Sequence, residues 1–142
     1  MPVDIAVVGS CNVDLVVNVD SIPTVGQTVL GGDLKRIPGG KGANQAVAAS
    51  RLGKSVAMIG RIGDDENGKF LQANLEDNGV NTEHLLKTPD IPTGVALISV
   101  QDDGDNAIVV SPGANGELSS EDIAEASPIA RGQVVLLQAE IP

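Results

Sequence analysis

Aromatic side chains are nearly missing from this chain, which has 1 Phe, no Trp and no Tyr. Its core must therefore be built from Val, Ile, Leu and Ala, a composition suited to the buried strands of an α/β sheet. Cysteine is as scarce: Cys11 stands alone, which excludes an intrachain disulfide and fits a reducing cytoplasm. Cationic charge is also short, with 9 Lys and Arg against 19 Asp and Glu and a formal net charge of −10. Such a field repels nucleic acids and anionic membrane surfaces, so neither is expected as a partner. An anionic ligand would have to be met by a local cluster of donors. No apolar run reaches the roughly 20 residues that a spanning helix needs, and no basic segment precedes the first apolar stretch, so neither a membrane span nor a signal peptide is expected. The single histidine, His84, lies in the polar run Asn81-Thr82-Glu83-His84 and reads as a surface residue.

What is present is aliphatic and punctuated. The 17 Gly and 8 Pro are spread along 142 residues, enough chain for one compact domain, and imply many tight turns rather than disorder. Residues 4–9 and 55–62 are short apolar runs that read as buried strands, and residues 133–139 read as a last one. Residues 13–19 and 27–37, the latter interrupted by Gly31-Gly32, read as two strands joined by turn chemistry and able to stand apart as a ribbon. An Asp-Gly turn at 102–105 between β-rich runs 93–101 and 106–111 predicts a hairpin. The alanine-rich stretch 43–52 favours helix and closes on Gly53. A second helix starts with Asp64-Asp65-Glu66, charges that suit a helix N-terminus, and ends at Gly79. Ser119-Ser120-Glu121-Asp122 caps a third. Strands alternating with helices predict a mostly parallel sheet flanked by helices.

Two constellations carry candidate chemistry. In Gly9-Ser10-Cys11-Asn12-Val13-Asp14, the amide of Asn12 and the carboxylate of Asp14 are two positions apart, so an extended backbone turns both to one side. They form a compact set of donors and acceptors for hydroxyl groups, and they are equally ordinary turn residues. In Gly39-Gly40-Lys41-Gly42-Ala43-Asn44, glycines allow close approach to the backbone and the helix that follows offers free N–H groups. A flexible loop with a solvated lysine fits the same residues. The segment is not a P-loop, because Gly42 stands where a hydroxyl residue should follow the lysine. Cys11 reads as a small buried hydrophobe. Asp102, Asp103 and Asp105 fail as a calcium loop, since the twelfth position is Gly113 and not Glu. Arg51 and Arg61 read as structural or solvated.

The pairing of Asn-x-Asp after the first strand with Gly-Gly-Lys-Gly-Ala-Asn-Gln-Ala further on resembles the ribokinase-like family of carbohydrate kinases. The resemblance continues through Ile59-Gly60-Arg61-Ile62-Gly63-Asp64-Asp65-Glu66-Asn67-Gly68, Thr93-Gly94-Val95-Ala96-Leu97-Ile98, Pro112-Gly113-Ala114-Asn115 and Leu136-Leu137-Gln138-Ala139-Glu140. It implies a ribokinase-like α/β fold with a small projecting β-sheet lid, built from about residues 13–37 and 93–111, with the rest of 1–142 forming the core. It implies that Asn12 and Asp14 bind ribose hydroxyls, that Gly40, Lys41, Gly42 and Asn44 close on the sugar from the other side, and that Glu140 binds a further hydroxyl. The implied reaction is ATP-dependent phosphorylation of D-ribose to ribose 5-phosphate in the cytoplasm, with Mg2+ and a monovalent cation, by a homodimer paired through its lid.

The family draws its base and anion hole from a Gly-Ala-Gly-Asp segment, and no such segment occurs in this sequence. With the chain stopping just past an apolar strand, this leads us to expect an N-terminal half: sugar-binding, without catalytic base, ATP site or metal site of its own, and inactive when isolated. Two other readings remain open, a non-catalytic sugar-binding or lid-dimerisation module and a kinase for another sugar such as deoxyribose, or for a nucleoside. A nucleoside kinase should offer an aromatic or large apolar wall, and only Phe70 is at hand. The last strand is expected to expose an edge through which the isolated chain associates.

Overall fold

The computed structural model describes residues 3–131 and 134–142. Among them, two four-stranded sheets stand side by side. The first is wholly parallel, in the order β5-β4-β1-β8: β1 is Ile5–Val8, β4 is Val56–Gly63, β5 is Leu85–Thr88 and β8 is Val134–Leu137. The pleat sorts their side chains into two cores. Val7, Val56, Met58 and Ile62 point to one face, where α1 (Lys41–Arg51) contributes Ala43, Ala46 and Ala49 and α2 (Glu66–Asp77) contributes Leu71 and Leu75. Ala6, Val8 and Ile59 point to the other, against Leu118 and Ala126 of the segment leading into and through α3 (Ser120–Ala130). Small alanines on α1 let the helix lie close to the sheet. Truncating a fully buried leucine such as Leu75 costs about 2–5 kcal/mol.

The helix boundaries follow the sequence. Asp65 caps α2, its side chain accepting the Gly68 N–H at 2.8 Å, and the chain leaves that helix through Gly79 at φ 77°. Ser119 and Asp122 form a reciprocal capping box at α3. Gly53 leaves α1 at φ 84°, a conformation favourable only to glycine. None of the helices described is long and apolar enough to cross a membrane.

The second sheet has the order β3-β2-β6-β7, with β2 at Asn12–Val19, β3 at Lys35–Gly39, β6 at Gly94–Gln101 and β7 at Asn106–Ser111. Both outer pairings are antiparallel, but the central pair β2-β6 is parallel over eight residues. The expected strand at 27–37 is shorter than its hydrophobic content suggests. Residues 27–34 add only an isolated bridge between Gly31 and Val19, and Val25 and Leu30 are fully exposed. Glycines at 31 and 32 contribute no side chain to hold a ladder, so pairing resumes at Lys35. It then runs through Pro38 to Gly39, the first residue of the expected glycine loop, and leaves a single connecting residue, Gly40. β5 and a short 3-10 turn at Gly113–Glu117 went unread: the former is only four residues long, in a polar setting. The last strand is four residues long, Val134–Leu137; Gln133 lies outside the described residues and Gln138 and Ala139 follow the strand.

Phe70 packs beneath the second sheet, with the Arg36 guanidinium 4.1 Å from its ring centroid. Arg36 also donates to Asn67 Oδ1 at 2.8 Å, tying β3 to the start of α2.

Candidate functional site

The carboxyl end of β1 feeds directly into β2 through Gly9, Ser10 and Cys11, so the core sheet and the second sheet share a corner. Gly40 completes it. It sits at φ 93°, and a Cβ there would lie 2.6–2.7 Å from Ser10 O, Asn12 N and Cys11 Cα. Only glycine lets β3 turn into α1 at this point. Beside this corner lies a cleft of about 170 Å3 lined by Asn12, Asp14, Gly40, Lys41, Asn44 and Glu140, with Ala96, Ile98, Ile108 and Val110 as an apolar wall. Six of the seven residues singled out from the sequence therefore meet in one place. Gly42 does not line the cleft: it is buried, and a Cβ on it would meet the Gly9 backbone at 2.7–2.8 Å, so it sets how tightly α1 seats on β1.

The polar groups differ in how they are held. Lys41 Nζ pairs with Glu140 Oε1 at 2.7 Å across the cleft, and Ser10 Oγ donates to Glu140 Oε2 at 3.4 Å. Gln138, just past β8, accepts the Ser10 N–H at 2.7 Å and so fixes the loop that carries Asn12. Asp14 is half-buried, and among the described residues no donor reaches its carboxylate; burial raises its pKa. A carboxylate left without partners is an acceptor waiting for hydroxyl donors. Asn12 is 5% exposed and is gripped from behind by Asn115, whose side chain bonds Cys11 N, Cys11 O and Asn12 Oδ1 at 2.8–3.0 Å.

Ser10, Asn115 and Gln138 had not been named as site residues. Their signal was faint: each is a common polar residue, and the bonds join positions more than 100 residues apart. Cys11 is wholly buried and its thiol is pushed up to about 12 by desolvation, as suits a small core residue. His84 is half-buried and Gly60 donates to its backbone carbonyl. Arg61 is structural, forming a two-bond pair with Asp122 at 2.6 and 2.7 Å. Among the described residues there is no cluster of metal-ligating side chains.

Three larger cavities among the described residues lack this convergence. One of about 430 Å3 is mainly apolar, between Val8, Leu118, Ile123, Leu137 and Ile141; a second, about 370 Å3, lies between Asp64, Asp65 and Asp90; the third, about 350 Å3, lies between α1 and Asn74, against Val47 and Arg51.

Residues 3–142 match the family described as pfkB family carbohydrate kinase. A ribokinase of Bacillus subtilis is 46% identical over 140 residues, which cover 98% of this chain and 47% of that protein. Among solved structures, a ribokinase from Thermotoga maritima superposes with a TM-score of 0.89 at 38% identity, covering 99% of this chain and 46% of its own. An Arabidopsis thaliana ribokinase complexed with ribose and ATP gives 0.84 at 34% identity, covering 100% of this chain and 47% of its own. The chain spans about half the length of the relatives it matches.

Proposed function

Because this chain belongs to the pfkB family of carbohydrate kinases, we propose that it is the sugar-binding half of a kinase that phosphorylates D-ribose to ribose 5-phosphate with ATP. The observation that carries this reading is the convergence of Asn12, Asp14, Gly40, Lys41, Asn44 and Glu140 on one cleft. Asp14 accepts from two neighbouring hydroxyls, Asn12 donates to one of them, and Lys41 and Glu140 exchange part of their mutual bond for the sugar. Ala96, Ile98, Ile108 and Val110 cover its C–H surface. The cleft is small, of a size that suits a pentose. Phe70, the single aromatic, is engaged by Arg36 on a different side of the second sheet, which weighs against a nucleoside substrate.

In this reading the second sheet acts as the lid. It excludes water from the sugar, so that the phosphoryl group goes to the 5-hydroxyl and not to solvent. ATP supplies the phosphoryl group, with Mg2+ and a monovalent cation offsetting its charge. Those groups and the general base are met by residues outside this chain, which carries no Gly-Ala-Gly-Asp segment. The enzyme works in the cytoplasm as a dimer paired through the exposed apolar surface of the lid, where Leu97 and Val109 are 51% and 66% exposed. Calorimetric titration of D-ribose into the chain tests the reading. Saturable binding that Asp14→Ala abolishes supports it; the same heats in both proteins refute it.

A further inference from the structure

Asn115 makes more hydrogen bonds than any other side chain at the corner, and its role is absorbed neither by the fold nor by the sugar contacts. It is 2% exposed. Its Oδ1 accepts the Cys11 N–H at 2.9 Å, and the two protons of its Nδ2 are shared among three oxygens, Cys11 O at 3.0 Å, Asn12 Oδ1 at 2.8 Å and Pro112 O at 3.1 Å. The backbone partners remove the usual ambiguity of an amide. A backbone N–H must face oxygen and two backbone carbonyls must face nitrogen, so Asn115 has one orientation. The atom of Asn12 that meets Asn115 Nδ2 must then be its oxygen.

We propose that Asn115 is a positioning residue that locks the Asn12 amide with its oxygen inward and its NH2 toward the cleft, so that a donor stands beside the Asp14 acceptor. Among the described residues Asn12 Nδ2 has no protein acceptor, and it is not among the sealed, unpartnered polar atoms. Its free protons therefore belong to the cleft. With the opposite orientation the cleft would present an amide oxygen beside a carboxylate, two acceptors side by side. That arrangement can bind hydroxyls only as donors, whereas the locked one lets a single hydroxyl donate to Asp14 and accept from Asn12.

Gly94 supports the same assignment. It faces Asn12 across the β2-β6 ladder, and a Cβ there would collide with Asn115 Nδ2 and Asn12 Oδ1. The absence of a side chain at 94 is what lets the two amides meet. The discrimination rests on the proposed sugar cleft, but the orientation of Asn12 does not.

The test is side-chain amide NMR on the 15N-labelled chain, without and with D-ribose. Without sugar, the Asn12 NH2 protons should exchange faster than those of Asn115. Asn12 protons as slow as those of Asn115 would overturn the assignment. In Asn115→Ala, checked for folding by its backbone spectrum, the Asn12 amide signals should shift and broaden as the amide samples both orientations. Gly94→Ala, which parts the pair while keeping both amides, should do the same, and serves if Asn115→Ala does not fold. Unmoved Asn12 signals in a folded variant would refute the proposal. With sugar, the Asn12 NH2 should shift in the parent chain, and Asn115→Ala should bind about tenfold more weakly, the worth of one well-placed hydrogen bond. Undiminished binding by that variant would also refute the proposal. No response of the parent chain to D-ribose would instead sink the sugar reading, and the exchange result would still decide the orientation.

Discussion

Lys41 Nζ and Glu140 Oε1 are 2.7 Å apart, joining the first residue of α1 to the segment that follows β8. Their side chains are 70% and 39% exposed. Pairs this open contribute about 0–1 kcal/mol to stability, so their proximity matters more for the cleft they border than for the fold. Glu140→Gln should therefore leave the melting temperature within a few degrees of the parent. D-ribose affinity should fall about tenfold or more, since a charge-assisted acceptor is lost. Thermal denaturation and calorimetry on the same sample separate the two effects. A large drop in melting temperature with unchanged affinity would recast the pair as structural.

Asp14 gives a pH-dependent prediction of opposite flavour. Its folded-state pKa is raised by burial. Folding therefore favours its protonated form, the cost of burying the charge is absent below the unfolded pKa, and it grows as pH rises through the folded value. Asp14→Asn should be as stable as the parent, or more stable, at pH 7, with the advantage vanishing at low pH. The same variant should lose sugar binding, and the parent's affinity should fall as acid protonates Asp14. Melting curves of both proteins from pH 3 to 7 check the sign. A variant less stable than the parent at neutral pH would contradict it.

The Arg61 and Asp122 pair has the other sign. The Arg61 guanidinium, bonded through two nitrogens, holds the Asp122 carboxyl below its ordinary range, helped by the Ser119 N–H of the capping box. Its contribution is present above the unfolded carboxylate value and is lost as pH falls through the depressed folded one. Asp122→Ala leaves a poorly solvated guanidinium without its carboxylate and removes one half of the α3 capping box, for an expected loss of about 3–5 kcal/mol at pH 7. Removing Arg61 as well, as Arg61→Met with Asp122→Ala, should recover part of that loss. Chemical denaturation of the single and double variants decides it, and purely additive losses would show that the two charges are not coupled.

Much of this was legible because the sequence carried it locally. Gly53 and Gly79 mark helix ends by backbone conformation, Asp65 and Ser119 mark helix starts by side-chain chemistry, and the Asp-Gly turn fixes the β6-β7 hairpin. Asn12 and Asp14 were legible as a pair because strand alternation puts them on one side. What stayed hidden depends on distant chain segments meeting. Nothing near Asn115 says that it reaches Cys11, and nothing near Gly94 says why a side chain is forbidden there; both follow only once β2 and β6 lie parallel. Gly42 misled for a related reason. A glycine in a binding-site motif suggests backbone access for a ligand, but here the close approach is that of the Gly9 backbone. Residues 27–34 misled because their apolar side chains imitate a strand that two glycines cannot hold.

The final prediction concerns β8. It pairs with β1 on one side, and no strand among the described residues pairs with its other edge. Val134, Val135 and Leu137 are 46%, 45% and 70% exposed, and the apolar cavity bounded by Leu137, Val8 and Ile123 opens beside them. An unpaired, apolar, uncharged parallel edge is a template for pairing with another strand. The 142-residue chain should therefore self-associate as its concentration rises, and Val135→Lys should shift it toward monomer by placing a charge on the edge. Sedimentation velocity on both proteins at several concentrations measures this. A parent chain that stays monomeric throughout would mean that β8 is protected without a partner strand. Association unaffected by Val135→Lys, but abolished by Val109→Lys, would move the contact to the second sheet, where the proposed lid pairing lies.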